Sequence, residues 1–181
     1  TFDVAGERAL VIRGHDGILR AFHNLCRHRG SRIVPDARGV CNKAMVCPYH
    51  GWAYNLDGGL RGIANRDSFP PMQAEKWGLK PLEIEIWNGM VFIRFQAGPQ
   101  PAVAEILTRF DDEIAPYDLA NMVPTGSNSM DDLLAVNWKS VRDVDNEGYH
   151  VRQAHPGLHQ LYGDGYFDEP YANGTSRSVG T

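Results

Sequence analysis

Two short segments, Cys26-Arg-His28 and Cys47-Pro-Tyr-His50, carry the residues of this sequence best equipped for chemistry, each joining a thiol to an imidazole. Thiolates suit one ferric ion and neutral imidazoles another, so the set can hold two irons bridged by sulfide. With two thiolates the oxidised centre is formally neutral, whereas four thiolates would leave it doubly negative. Neutrality eases reduction, which is why such centres work at roughly −150 to +300 mV and plant-type ferredoxins near about −400 mV. The chemistry is electron transfer.

Gly30 follows the first pair and Gly51 the second. Arg27-His28-Arg29-Gly30 and Pro48-Tyr49-His50-Gly51 therefore read as two loops whose backbone N–H groups can point at sulfur. Two Cys and two His can also bind zinc, but zinc modules usually pair Cys with Cys and His with His. The remaining cysteine, Cys41, reads as a small apolar packing residue.

A second constellation is Glu147-Gly-Tyr-His150-Val-Arg-Gln-Ala-His155, preceded by Asn137-Trp138-Lys139. On a helix, residues three apart share a face, so Glu147 and His150 would project into one site. Pro156 disfavours helical geometry at His155, so the helix ends or bends there and the second imidazole can swing toward the first. Two imidazoles, a carboxylate and open positions make the facial triad of non-haem Fe(II) sites. Taken alone, the motif also fits surface polar residues or satisfied core histidines. His23 and His159 have no motif partner and read as structural.

The pattern Cys-x-His then Cys-x-x-His-Gly-Trp, at Cys26 to His28 and Cys47 to Trp52, resembles the Rieske proteins. Members from cytochrome bc-type complexes carry two further cysteines that bridge the loops. The corresponding positions fall near Ser31 and Tyr49, so the resemblance shifts to Rieske ferredoxins and ring-hydroxylating oxygenases. The segment from Asn137 through Glu147-x-x-His150-x4-His155-Pro156 resembles the start of the catalytic domain of Rieske non-haem iron oxygenases. Together the two motifs resemble a truncated catalytic α subunit over nearly the whole chain.

The resemblance implies a Rieske 2Fe-2S cluster on Cys26, His28, Cys47 and His50, and a mononuclear Fe(II) on His150 and His155. It makes Glu147 a link rather than a ligand, hydrogen-bonded to an iron-ligating His and, across a subunit boundary, to a neighbour's cluster His, here matching His50. It implies a homotrimer or an α3β3 assembly, an NAD(P)H-dependent reductase acting directly or through a ferredoxin, and O2 with a small organic substrate. Hydroxylation or oxidative demethylation would follow. Aromatic acids, biphenyl-like hydrocarbons and quaternary amines all fit, with aromatic hydrocarbon catabolism as the expected setting. The family's third iron ligand is an Asp or Glu far beyond the second His. Asp164, Asp168 and Glu169 lie too near His155 to match, so the ligand is expected beyond Thr181. The alternative is a stand-alone Rieske ferredoxin, which could stop near Gln96 and would leave the His pair without a purpose.

The elements must position these residues. Ala9 to Arg13 and Ile18 to Asn24 flank Gly14-His15-Asp16-Gly17, Trp52 to Leu56 runs into Asp57-Gly58-Gly59, and Glu83 to Trp87 meets Met90 to Phe95 at Asn88-Gly89. These are hairpin signals, and they suit the small β-sandwich the resemblance implies. After Pro99-Gln-Pro101 the period changes: Val103, Ile106, Leu107, Phe110, Ile114 and Tyr117 mark one face of a helix, with Pro116 near its end. The expected class is α+β, a small antiparallel β-sandwich Rieske domain over 1–98 followed by the start of an α+β catalytic domain over 99–181. Thr175 to Thr181 show no helix or strand pattern. Thr1 in place of Met suits a piece of a longer protein.

Composition bounds the partners. The 181 residues are 43% hydrophobic and 22% charged, ordinary for a soluble protein of one or two domains. No apolar run approaches the roughly 18 residues of a membrane helix, and no signal-peptide pattern opens the chain, so no membrane partner and a cytoplasmic location are expected. A net charge of −4 argues against nucleic acid. Arg27, Arg29, Arg32 and Arg38 gather near the first loop, as a solvated face or a dock for an acidic redox partner.

Overall fold

Backbone pairing follows the turn chemistry closely in the first half of the chain. The computed structural model describes residues 1–123, 125 and 134–180. It divides into two units, Thr1–Val103 and Ala104–Thr181.

The first unit contains β1 (Phe2–Val4), β2 (Glu7–Arg13), β3 (Leu19–His23), β4 (Met45–Val46), β5 (Ala53–Tyr54), β6 (Leu60–Gly62), β7 (Pro81–Trp87) and β8 (Met90–Arg94). They form a five-stranded sheet in the order β1-β2-β3-β7-β8 and a three-stranded sheet β4-β5-β6, with every pairing antiparallel. Asn88 and Gly89, both at positive φ, close the β7–β8 hairpin with Trp87 opposite Met90, as a two-residue turn requires.

Strand alternation sorts the core. Leu10 and Phe22 face the three-stranded sheet and join Met45, Trp52 and Tyr54 in one buried cluster, while their neighbours Ala9 and Ala21 turn to the opposite face and meet Leu82. Successive side chains point to opposite faces, so a sheet covered on both sides needs apolar residues at consecutive positions. Cys26 and Cys47 belong to the same buried cluster as Trp52. The first ligand loop leaves the five-stranded sheet just after β3, and the second joins β4 to β5 within the smaller sheet.

The second unit departs from the sequence expectation in three places. The helical stretch from Val103 to Tyr117 is not one helix but α1 (Val103–Leu107), a 3-10 turn, α2 (Asp111–Ile114) and a second 3-10 turn. Pro116 lacks an N–H for a regular α ladder, and the short turns are largely exposed. Secondly, α3 (Trp138–Asp145) stops before Glu147, so Glu147 and His150 do not lie on a common helix. The Asn146 side chain donates to the Arg142 carbonyl and ends α3 there. Thirdly, Ser176 to Val179 is not patternless: it is strand β10, paired with β9 (Phe167–Pro170). Its pairing comes from the partner strand and a tight turn in which Thr175 bonds Asn173, neither of which is written in strand-like residue types.

Between α3 and β9 lie α4 (Val151–Ala154) and α5 (Pro156–Tyr162). Asn137 caps α3, its side chain accepting from Lys139 N at 3.0 Å. The hairpin grips the α1–α2 stretch: Arg177 pairs with Glu113, and the Arg109 guanidinium lies 3.9 Å from the centre of the Tyr171 ring. No helix among the described residues is long and apolar enough to cross a membrane.

Candidate metal centres

The two Cys-His loops share one backbone scheme. Cys26 N donates to Ser31 O at 2.8 Å and Gly30 N to Cys26 O at 2.9 Å; Cys47 N donates to Trp52 O at 2.8 Å and Gly51 N to Cys47 O at 3.0 Å. In both, glycine stands four positions after cysteine with φ near +68° or +69°, a conformation costly for any residue with a Cβ. The imidazole sits two residues after Cys26 and three after Cys47. The His28 and His50 rings meet edge to face with centroids 4.7 Å apart.

Several groups hold the loops. Asn24 is fully buried, donates to Val34 O at 2.8 Å and accepts from the Ile33 and Val34 N–H groups, which pins the chain leaving the first loop. Trp52, 1% exposed, stacks flat on His28 at 5.1 Å with 4° between planes. The Arg27 N–H donates to Tyr54 Oη at 3.0 Å, which frees the phenolic proton for Cys26 Sγ at 3.2 Å. Sequence reading missed Asn24 and Tyr54. The available signal is that Tyr54 stands two residues after Trp52, on the same side of the extended chain entering β5.

The donor set fits an iron–sulfur cluster. Both thiols are buried, and the two respond differently. Burial pushes the Cys26 thiol up against the opposing Tyr54 bond; at Cys47 burial is outweighed by the Tyr49 and His50 N–H groups, and its pKa falls. Those N–H groups are donors a thiolate needs. His28 Nδ1 is buried with no hydrogen-bond partner, as are Arg27 Nε and Trp52 Nε1. An orphaned ring nitrogen costs roughly 1–3 kcal/mol unless something accepts its lone pair, and a metal does so. Burial, then the His50 and Arg29 charges, lower the His28 pKa and favour the neutral ring that ligates. His50 is exposed. Cys41 is half-buried, its thiol donating to Ala44 O at 3.1 Å. Of the basic cluster, Arg32 pairs with Asp3, Arg27 is half-buried, and Arg29 and Arg38 are exposed.

The second centre is a turn, not a helix face. Glu147 folds over the turn and accepts twice from His150, from its backbone N–H at 2.9 Å and from ring Nδ1 at 3.1 Å. His150 caps α4, and His155 sits at the α4–α5 junction with φ −129° and ψ 65°, out of helical geometry before Pro156. The two rings lie 5.3 Å apart at 78°. Both border a cleft of roughly 660 Å³, together with Tyr162 and Tyr166. Among the described residues no group of three or more His, Cys, Asp and Glu side chains is arranged to hold one metal ion. The nearby carboxylates are engaged elsewhere: Asp164 with His159, Glu169 with Arg177 and Tyr171, and Asp168 with Tyr166, Ser178 and the Gly148 N–H. His23 rests beside Glu7 at 3.6 Å.

Comparison with known proteins accords with this geometry. The family model of the Rieske [2Fe-2S] domain matches residues 1–76, and that of the ring hydroxylating alpha subunit (catalytic domain) matches residues 118–176. The glycine betaine monooxygenase oxygenase subunit of Chromohalobacter salexigens is 39% identical over 159 residues, 87% of this chain and 34% of the relative. The carnitine monooxygenase oxygenase subunit of Acinetobacter pittii is 34% identical over 87% of this chain and 42% of its own length. A quaternary ammonium Rieske monooxygenase, whose structure gives insights into carnitine oxidation and inter-subunit electron transfer, superposes with a TM-score of 0.75 at 30% identity, over 94% of this chain and 46% of that one. The chain thus spans about a third to two fifths of the length of these curated relatives.

One expectation loses its support here. Aromatic hydrocarbon catabolism does not follow from relatives named for glycine betaine and carnitine. The α subunit of biphenyl 2,3-dioxygenase from Rhodococcus jostii matches at 38% identity over only 49% of this chain. Two family models matched in tandem, with relatives sharing both halves, give this chain a Rieske [2Fe-2S] domain followed by a stretch of the ring-hydroxylating alpha-subunit catalytic domain.

Proposed function

We propose that this chain is the electron-receiving part of an oxygenase component that hydroxylates or oxidatively demethylates a small quaternary ammonium compound. A Rieske 2Fe-2S cluster and a mononuclear iron are the cofactors of the family. When bound, they supply single electrons and O2 activation respectively. In this reading Cys26 and Cys47 hold one cluster iron, His28 and His50 the other, and His150 and His155 the mononuclear iron. The family pattern adds a carboxylate ligand, for which Asp164, Asp168 and Glu169 stand too near His155.

The residues have separable tasks. Trp52 and Phe69 wall the His28 ring from water. Glu147 takes the His150 Nδ1 proton in a hydrogen bond, which fixes the ring and raises its basicity. His50, exposed, is available to a neighbouring subunit, and a reductase, directly or through a ferredoxin, delivers the electrons. The Tyr162 and Tyr166 rings beside the cleft and the Glu147 carboxylate favour a cation over an anion there.

The observation that carries the reading is the Glu147-held His150 facing His155 at 5.3 Å in a chain that also bears the cluster loops. An electron carrier needs only the loops. In the full-length protein, anaerobic iron analysis should give three irons per chain, with one lost and the cluster spectrum kept in His150→Ala or His155→Ala. Two irons in the wild type would favour the carrier. Substrate-dependent O2 uptake with glycine betaine or carnitine, set against an aromatic acid, tests the substrate class, and uptake with the aromatic acid alone would overturn it.

A further inference from the structure

The turn carrying Glu147 and His150 is held from behind by the β9–β10 hairpin. The Gly148 N–H donates to Asp168 Oδ2 on β9. The other carboxylate oxygen accepts from Tyr166 Oη at 2.7 Å and from Ser178 Oγ on β10 at 2.6 Å. A Cβ at position 148 would lie 1.8 Å from Tyr166 Cε1 and 2.7 Å from Asp168 Oδ2, so the turn seats directly on ring and carboxylate. Gly148 stands between the two residues that bond each other twice, Glu147 and His150. Rotation at a glycine is the easiest way to part them, because no Cβ restrains its φ and ψ. The bond to Asp168 removes that freedom.

We infer that Asp168 is a positioning residue of the iron half of the site: by holding the Gly148 amide it fixes the 147–150 turn and the direction in which His150 presents its ring. The inference rests on the reading of His150 and His155 as iron ligands. Asp168 touches neither metal nor substrate and takes no part in chemistry. In sequence Asp168 stands too close to His155 to match the family's carboxylate ligand, and its contact is with the backbone instead.

The test is Fe(II) affinity of the full-length holoenzyme, titrated anaerobically after selective removal of the mononuclear iron. Asp168→Ala should weaken Fe(II) binding about tenfold, the low end for residues supporting a ligand, and broaden the electron paramagnetic resonance signal of the Fe(II)–NO adduct while the cluster spectrum stays unchanged. Ser178→Ala removes a donor to the far oxygen and leaves the Gly148–Asp168 bond intact, so it should lower the melting temperature yet leave the Fe(II) Kd within about twofold. Asp168→Asn keeps an oxygen for Gly148 while the two hydroxyls turn to accept, and should restore the affinity. Should Asp168→Ala not fold, hydrogen exchange of the Gly148 amide in the wild type decides, with protection expected. A wild-type Kd in Asp168→Ala, an equal loss in Ser178→Ala, or an amide exchanging at the unprotected rate would each overturn the inference. A wild type that binds no mononuclear iron instead refutes the His150 and His155 reading on which it stands.

Discussion

The Cys-His loops and the His150–His155 turn set their candidate ligands in opposite surroundings. Cys26 and Cys47 are 4% and 2% exposed and sit inside the main hydrophobic cluster of their unit, between two sheets. His155 is exposed, and Val151 is the one buried apolar residue among the described residues of the second unit. Elsewhere in that unit Trp138, Leu161 and Tyr149 are 69%, 74% and 94% exposed. In the first unit the two thiols are core residues, so metal binding there would draw on the same contacts as folding. In the second the candidate ligands hang on hydrogen bonds and a short hairpin, so binding and folding separate.

The sharpest way to break that contrast is to remove one ligand from each side. Cys47→Ala should abolish the cluster and destabilise the first unit by about 4 kcal/mol or more, as loss of a structural metal does. His155→Ala, at an exposed site, should change the melting temperature of the full-length protein by no more than about 3 °C. Thermal unfolding followed by visible absorbance and far-ultraviolet circular dichroism measures both. Two variants melting alike would erase the distinction.

Next in size is Asn24→Ala. Its side chain satisfies Val34 O and the N–H groups of Ile33 and Val34, and stranding buried backbone groups costs about 1–3 kcal/mol. We expect a loss near the upper end, about 3 kcal/mol, by denaturant titration, with the visible spectrum bleaching in the same transition. Bleaching well before the protein unfolds would mean that Asn24 supports the loop but not the core.

On the iron side, Glu147→Gln should leave both metals bound and slow substrate-dependent cluster reoxidation about 10- to 100-fold, the range for residues that orient a ligating imidazole. The amide can still accept from the His150 backbone N–H, so the turn survives while the charged partner of Nδ1 is gone. Stopped-flow absorbance in the full-length enzyme reads the rate, and an unchanged rate would refute the link.

The contrast also explains what was legible in the residues alone. Period-2 strands, Asn88-Gly89 and the two Cys-x-His loops are local signals, and the first unit is assembled from local hairpins, so its strands, its antiparallel pairing and the closeness of His28 to His50 could be read directly. Glu147 and His150 do meet, as their spacing suggested, but through a turn: helical spacing and a Glu that caps its own turn predict the same proximity. The existence of β10 and its hold on the α1–α2 stretch depend on partners far along the chain, such as Phe167 opposite Val179 and Glu113 with Arg177. No window of neighbouring residues contains that information. Asn24 was hidden for a related reason, since a polar residue in a strand-like run reveals nothing of the three backbone groups that await it.

The smallest effect belongs to Tyr54 and sharpens the comparison at one hydrogen bond. Its hydroxyl accepts from Arg27 N and donates to Cys26 Sγ; burial and the sulfur contact both raise its pKa, so it stays a protonated donor throughout the ordinary pH range. A donor to sulfur stabilises the reduced, more negative cluster more than the oxidised one, so removing it makes reduction harder. Tyr54→Phe should therefore lower the reduction potential. If the bond favours the reduced state by about 1 kcal/mol, the drop is roughly 40 mV for one electron, with a modest stability loss from the stranded Arg27 N–H. Protein-film voltammetry measures the first and denaturant titration the second. The mononuclear iron affinity serves as the internal control: it should not move, because Tyr54 touches only the centre that the first unit encloses, and a parallel change there would tie together two regions that the contrast holds apart.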